Sequence, residues 1–414
     1  MSFAPNATMH SAPASNFADP GAGYDIAVSS SHCHRYPMRR EDFDRFNVSF
    51  QGLDSSQREV RANEALGVHI PAARAMFEEI VGDLSETRFG IGWWAPHPDK
   101  FRRILISDQL LLCAQSVQTN VVEARLHLLE LREARDNAAE SMGGRVTVDP
   151  SGPRILPAER AADELPAAMV WLHTGGFLRA IGSAFDCLAG VIIGVAAIPQ
   201  SILRADFTKV MGYLRRLSPH EASTEAQAEI YQRVQSSIEA AGPPGWHAWT
   251  LDYRNMLVHR GRHMVLSRLL PEKSPILSAS GQPVVYARQV VLLPNDPGRS
   301  EVEVLRDAPT NHFLLTEDGA LTVERVYESA VQVIEAASRA LAELWRRRRA
   351  SPSLLIQPQK QWEHLPATQS CGFRGYAAGT VQVKGEAMFV NPLFGRRLQA
   401  AALTDAQRDE WEKP

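Results

Sequence analysis

Apolar residues recur at spacings of three and four through most of the chain, and that pattern predicts a mainly helical protein. Two short helices are expected near 55–66 and 71–84, the second opening on Pro71, where a missing N–H costs nothing. Gly90, Gly92, Pro96 and Pro98 then interrupt the pattern around Trp93 and Trp94. A long helix is expected from Asp99 to Met142, apolar at Leu110, Leu111, Val117, Val121 and Val122, heavily charged from Arg125 to Glu140, and ended by Gly143-Gly144. At about 60 Å, such a helix invites a kink or a second subunit along its flank. A Pro-containing connector leads to Pro166. Ala167 to Ile198 reads as a strongly apolar helix with a break expected at Gly175-Gly176 and a stop at Pro199. Ala205 to Leu217 and Glu221 to Ala241 form two amphipathic helices, the latter with Ile230, Val234 and Ile238 four apart. Gly242-Pro243-Pro244-Gly245 breaks the chain before a helix from Trp246 to about Met264. Val284 to Leu293, Glu301 to Leu305 and Phe313 to Leu315 read as short strands of a small β insertion near 284–315. The last long helix runs from Leu321 to Arg349.

This pattern divides the chain into a disordered tail (1–40), an N-terminal helical region (41–160), a helical bundle with the β insertion (165–350) and a partly ordered C-terminal tail (351–414). A length of 414 residues suits two or three units and is enough to bury a core without disulfides or metal. With a net charge of −3, any site for a polyanion has to be a local patch. Cys33, Cys113, Cys187 and Cys371 are far apart and form neither a disulfide framework nor a CxxC pair. The Ala-, Ser- and Pro-rich start has no basic segment followed by an apolar run, so a signal peptide is not expected. The apolar run Cys187 to Ile198 is too short for a membrane span of roughly twenty residues, so the expectation is a cytoplasmic protein with no membrane partner.

The most informative segment is Tyr253-Arg254-Asn255-Met256-Leu257-Val258-His259-Arg260-Gly261. At about 100° per residue, Asn255 and His259 share a helix face, and Arg254 lies about 140° from His259. Either Arg254 reaches around, or another chain completes the site. Cleaving RNA without a metal requires proton transfers at the 2′-hydroxyl and 5′-oxygen and positive charge at the phosphate. Histidine suits the transfers, since its ordinary pKa is near neutrality. Arginine supplies a permanently charged fork of donors, and an amide can orient either partner.

The run Arg254-Asn255-x3-His259, late in a series of helices, resembles the R-polar-x(3–5)-H motif of the HEPN superfamily. The earlier apolar helix with Phe185-Asp186-Cys187-Leu188 fits the same pattern. The resemblance covers about 165–350. It implies an all-α HEPN-like bundle, commonly homodimeric, with the motif helices of two subunits facing across a composite site. It further implies a metal-independent endoribonuclease without cofactor, of the kind found in toxin–antitoxin or antiviral systems. Arg254 and His259 would be catalytic, with Asn255 the adjoining polar residue. A neutralising or activating protein partner would fit that setting. The β insertion and the N-terminal helices depart from a minimal bundle. The competing expectation is a non-catalytic dimerisation or binding protein with the same fold.

Around the motif, Asp186 is expected either to support the site by pairing with Arg254 or orienting His259, or to face solvent at the bundle boundary. Arg260, Arg262 and Arg268 are placed to hold an RNA backbone. Arg346 to Arg349 reads as a solvated helix end that complements the dipole, or as a phosphate patch. A metal is not expected. His259 and His263 share a face, but Arg260 follows directly, and His32-Cys33-His34 has no second ligand pair. His173-Thr174-Gly175-Gly176 lacks an accompanying nucleophile elbow and reads as a helix irregularity. There is no Walker A loop, dinucleotide fingerprint or RNP-type aromatic pattern.

Overall fold

The computed structural model describes residues 66–86, 94, 100–143, 145–149, 152–156, 160, 164–217, 222–259, 266–277, 283–307 and 314–356. The expected helix near 55–66, the His32-Cys33-His34 run and most of both tails lie outside these. The described chain is mainly helical. Its α-helices are α1 (Pro71–Val81), α2 (Lys100–Gly143), α3 (Leu165–Val195), α4 (Phe207–Leu214), α5 (Ala222–Ala241), α6 (Trp246–His259), α7 (Glu301–Asp307) and α8 (Gly319–Ala350). Between α2 and α3 lies a hairpin of β1 (Val146–Asp149) and β2 (Gly152–Ile155), in the stretch expected to be a plain connector. Between α6 and α7 lies an antiparallel ribbon of β3 (Leu266–Leu277) and β4 (Pro283–Leu292).

α2 and α3 form the longest interface. Along α2 the buried positions include Leu110, Ala114, Val117, Val121, Ala124, Leu128, Leu131, Ala134 and Ala138. Each is three or four residues from the next, the seam by which two helices pack at a shallow angle. The charged half of α2 keeps that stripe and turns its charges outward, with Arg132 bonded to Glu324 at 2.7 Å. α3 runs antiparallel to α2, since Leu110 lies against Gly194, Cys113 against Gly190 and His127 against Gly176. α3 is continuous through Gly175-Gly176, where no break occurs. Its length and apolarity would suffice to cross a membrane, yet 78% of its most apolar window is buried inside the fold.

α8 closes the other side, packing on α5, α1 and α3. Its N-cap is Asp318, whose side chain accepts from the Ala320 N–H at 3.1 Å. Half-way along it, buried Glu335 accepts from the N–H groups of Ala72 and Ala73 at 3.0 and 3.1 Å. An acid from another helix therefore caps α1, whose own cap residue, Ile70, cannot. The apolar residues form one core from Val68 to Leu355, so helices read from sequence as two regions share one interior.

In the arginine run at the end of α8, Arg346, Arg347 and Arg349 are exposed, as a solvated terminus requires, but each is ion-paired, and Arg348 is buried. Arg346 and Arg349 bond Glu79, Arg349 also bonds Asp83, and Arg347 bonds Glu229. Arg348 is fully buried and donates to the carbonyls of Gly194, Val195 and Leu355 at 2.9, 2.6 and 3.1 Å. It thus satisfies the exposed carbonyl end of α3 with a positive charge, and burial pushes its own pKa down.

The β region also differs from expectation. β4 is present, but its partner is the earlier stretch Leu266–Leu277, which lies outside the insertion expected near 284–315 and carries Pro271 and Pro275. A two-stranded ribbon has only edges, so proline is tolerated there, and the register shifts between Lys273 and Leu277. The expected strand Glu301–Leu305 is helix. Ser300 and Glu303 form a capping box, the Ser300 N–H donating to Glu303 at 2.9 Å and the Glu303 N–H to Ser300 Oγ at 3.4 Å. That box overrides the alternating Glu-Val-Glu-Val pattern. Of Phe313 to Leu315, Leu314 makes a single bridge to Pro294, and Phe313 lies outside the described residues.

Candidate functional site

The motif helix α6 starts at a backbone break. Gly245 has φ +88°, a conformation that side chains disfavour, and the chain enters the helix directly after it. Trp246 anchors the start. It is buried, and its indole N–H donates to the Ile238 carbonyl at 2.9 Å. Tyr253 and Met256 are buried further along, so Arg254, Asn255 and Val258 are turned to the rim. His247 sits edge-on to Phe185, with centroids 4.6 Å apart, and beside Phe207 at 5.1 Å. Burial drives its pKa down to about 4.

α6 lies antiparallel on α3. Leu257 reaches Gly175 and Arg254 crosses Gly182. A Cβ at Gly182 would stand 2.7 Å from Arg254 Cγ, so the missing side chain is what lets the arginine stem lie flat on α3. One turn on, Asp186 forms a close ion pair with Arg254 Nη2. Arg254 Nη1 donates to Asn255 Oδ1 at 2.9 Å. The second Asp186 oxygen, Oδ1, accepts from the Phe207 N–H at 3.1 Å, at the start of α4. Both side chains of the pair are about a quarter exposed, at 25% each. Burial raises the Asp186 pKa, the Phe207 N–H and the Arg254 charge pull it back, and Asp206 adds to the rise. A guanidinium carries five N–H donors. Two are spent on Asp186 and Asn255, and among the described residues Arg254 has no other hydrogen-bond partner.

Of the residues singled out from sequence, Arg254, Asn255 and Asp186 are brought together, Asp186 in the pairing arrangement rather than facing solvent. His259 is the last residue of α6, one turn beyond Asn255 on an uninterrupted helix, and its side chain lies outside the described residues. Arg260, Arg262 and His263 lie outside them too. Arg268 falls in β3, separated from α6 by 260–265, and its side chain is likewise outside the description. No group of three or more His, Cys, Asp or Glu placed to hold a metal occurs among the described residues.

Sequence reasoning missed a second polar cluster beside the motif. His127 of α2 and His173 of α3 approach with Nδ1 to Nδ1 at 3.1 Å, and Arg179 lies two turns along α3 from His173. Burial lowers both imidazole pKa values. For His127, Glu123 opposes that shift and Arg179 adds to it, and for His173 the neighbouring His127 adds to it. The available signal was Gly175-Gly176 in an otherwise apolar helix. A Cβ at Gly176 would strike the His127 ring, so that glycine marks a close approach and not an irregularity. Comparison with protein-family models, curated proteins and solved structures finds no match to this chain.

Proposed function

We propose that the protein is a metal-independent endoribonuclease of HEPN type, acting as a homodimer in which two α6 helices line one composite site. The observation that carries this reading is Arg254, held on the α3 face by Asp186 and Asn255 on the same helix as His259. Arg254 would stabilise the crowded phosphate, Asn255 would orient it, and His259 would move a proton at the attacking 2′-hydroxyl or the leaving 5′-oxygen. Asp186 acts as a positioning residue, since it touches Arg254 and not the substrate. Val258, 50% exposed beside His259, supplies apolar surface where a second subunit would approach. Arg260, Arg262 and Arg268 would hold the flanking RNA backbone, and a toxin–antitoxin or antiviral role with a neutralising or activating partner fits such an activity.

A second reading, a non-catalytic dimerisation or binding protein, is favoured by the ion pair itself, because Asp186 already occupies part of the Arg254 guanidinium. Incubating the purified protein with RNA in EDTA separates the two. The enzyme reading expects cleavage that persists under chelation and is lost in Arg254→Ala and His259→Ala. Cleavage abolished by EDTA, or unchanged in His259→Ala, would refute it.

A further inference from the structure

On α3, Gly175, Arg179, Gly182 and Asp186 fall within about 60° of one another, on the face covered by α6. Gly176 and His173 lie progressively further round, toward α2. Arg179 therefore stands at the junction of three helices, with Leu257 of α6 on one side and the His127–His173 pair on the other. Its guanidinium Nη2 comes within 3.8 Å of where a Gly175 Cβ would be, and Leu257 Cδ1 within 3.9 Å of the same point. Arg179 is half-buried, yet among the described residues it has no hydrogen bond and no carboxylate partner. A partly desolvated guanidinium with no counter-charge is costly. The nearest imidazoles offer no negative charge. Glu123, the acid on this side, is 57% exposed and faces the outer Nε2 of His127 at 3.9 Å. His173 Nε2 is buried with no hydrogen-bond partner.

We infer that Arg179 and the His127–His173 pair form a phosphate-binding subsite on α3 between α2 and α6, which receives a backbone phosphate of the RNA flanking the one to be cleaved. Its assignment to RNA rests on the nuclease reading above. The capacity to bind phosphate does not. The chemistry is that of an always-charged fork aimed at an oxyanion, with imidazoles that change protonation to match. In the neutral pair one Nδ1–H donates to the other Nδ1. An arriving phosphate offsets the Arg179 charge and favours proton uptake at His127, whose Nε2 faces Glu123, so binding raises the imidazole titration midpoint. The groups that set this balance are Glu123 from α2 and Arg179 and His173 from α3. A metal at the same place would be repelled by Arg179 and would lack a third ligand.

The test is a titration of the full chain with inorganic phosphate, followed by NMR of the histidine ring C–H signals of His127 and His173. The wild type should show a saturable shift and a higher imidazole midpoint. Arg179→Ala should weaken binding by about tenfold or more, the loss of one charge-assisted contact, and Arg179→Lys should restore part of it. Arg254→Ala should still respond, although the nuclease reading predicts that it no longer cleaves RNA. Adding a 2′-O-methyl oligonucleotide, which cannot be cleaved by 2′-hydroxyl attack, should move the same signals. No response to phosphate, an undiminished response in Arg179→Ala, or a response lost only in Arg254→Ala would each overturn the subsite. Whether Arg254→Ala or His259→Ala still cleaves RNA bears on the nuclease reading alone.

Discussion

His247 places a measurable pH dependence on the motif helix. The imidazole is enclosed by Phe185, Phe207 and Trp246, and burial lowers its pKa from 6.5 to about 4. In the unfolded chain it titrates near 6.5, so between these values the unfolded state binds the extra proton. The contribution of His247 to stability is therefore fully present above pH 6.5 and is lost as the pH falls toward 4. From the two pKa values the loss is about 2 kcal/mol at pH 5 and about 3 kcal/mol at pH 4. His247→Phe, which keeps an aromatic ring in the cage, removes that loss whatever it does to absolute stability through overpacking. The assay is urea unfolding at pH 7 and pH 5 for both proteins. The wild type should lose about 2 kcal/mol more than the variant over that step. Equal losses would mean that the imidazole is not buried in the neutral form, and the packing described for the start of α6 would be wrong.

Gly182→Ala should push the Arg254 stem off α3, costing about 1–3 kcal/mol as an overpacked contact. RNA cleavage should fall more steeply than a thermal melt shifts, and a neutral effect on both would contradict the close crossing. Arg348→Ala would leave the Gly194, Val195 and Leu355 carbonyls without their donor and open a cavity in the core. It should destabilise by about 3 kcal/mol or more, read as a lowered urea midpoint.

The helices were legible because their apolar stripes repeat at helical spacing over many residues. α2, α3, α5 and α8 lie within a few residues of where the pattern puts them. What failed was local or came from elsewhere in the chain. The Glu-Val-Glu-Val stretch alternates like a strand, but the Ser300–Glu303 capping box decides for a helix. β3 falls outside the expected insertion and carries Pro271 and Pro275, and a sequence does not reveal that a ribbon has only edges. The arginine run ending α8 looked free because its acids, Glu79, Asp83 and Glu229, are remote in sequence. At the site, Arg254 and Asn255 were readable from a contiguous motif. The Asp186 contact could be framed only as one of several roles. The Arg179 and His127–His173 cluster required the antiparallel register of α2 on α3, and only glycines in the middle of a helix hinted at that register.

In the proposed reaction an imidazole and a guanidinium cleave RNA through its own 2′-hydroxyl. The most direct measurement uses one oligonucleotide cut by the protein in EDTA and a copy lacking the 2′-hydroxyl just 5′ of the scissile phosphate. The proposed reaction turns the first into products with a 2′,3′-cyclic phosphate and a 5′-hydroxyl and leaves the second intact at that position. Cutting of the modified copy at the same place, or products carrying a 5′-phosphate, would contradict it.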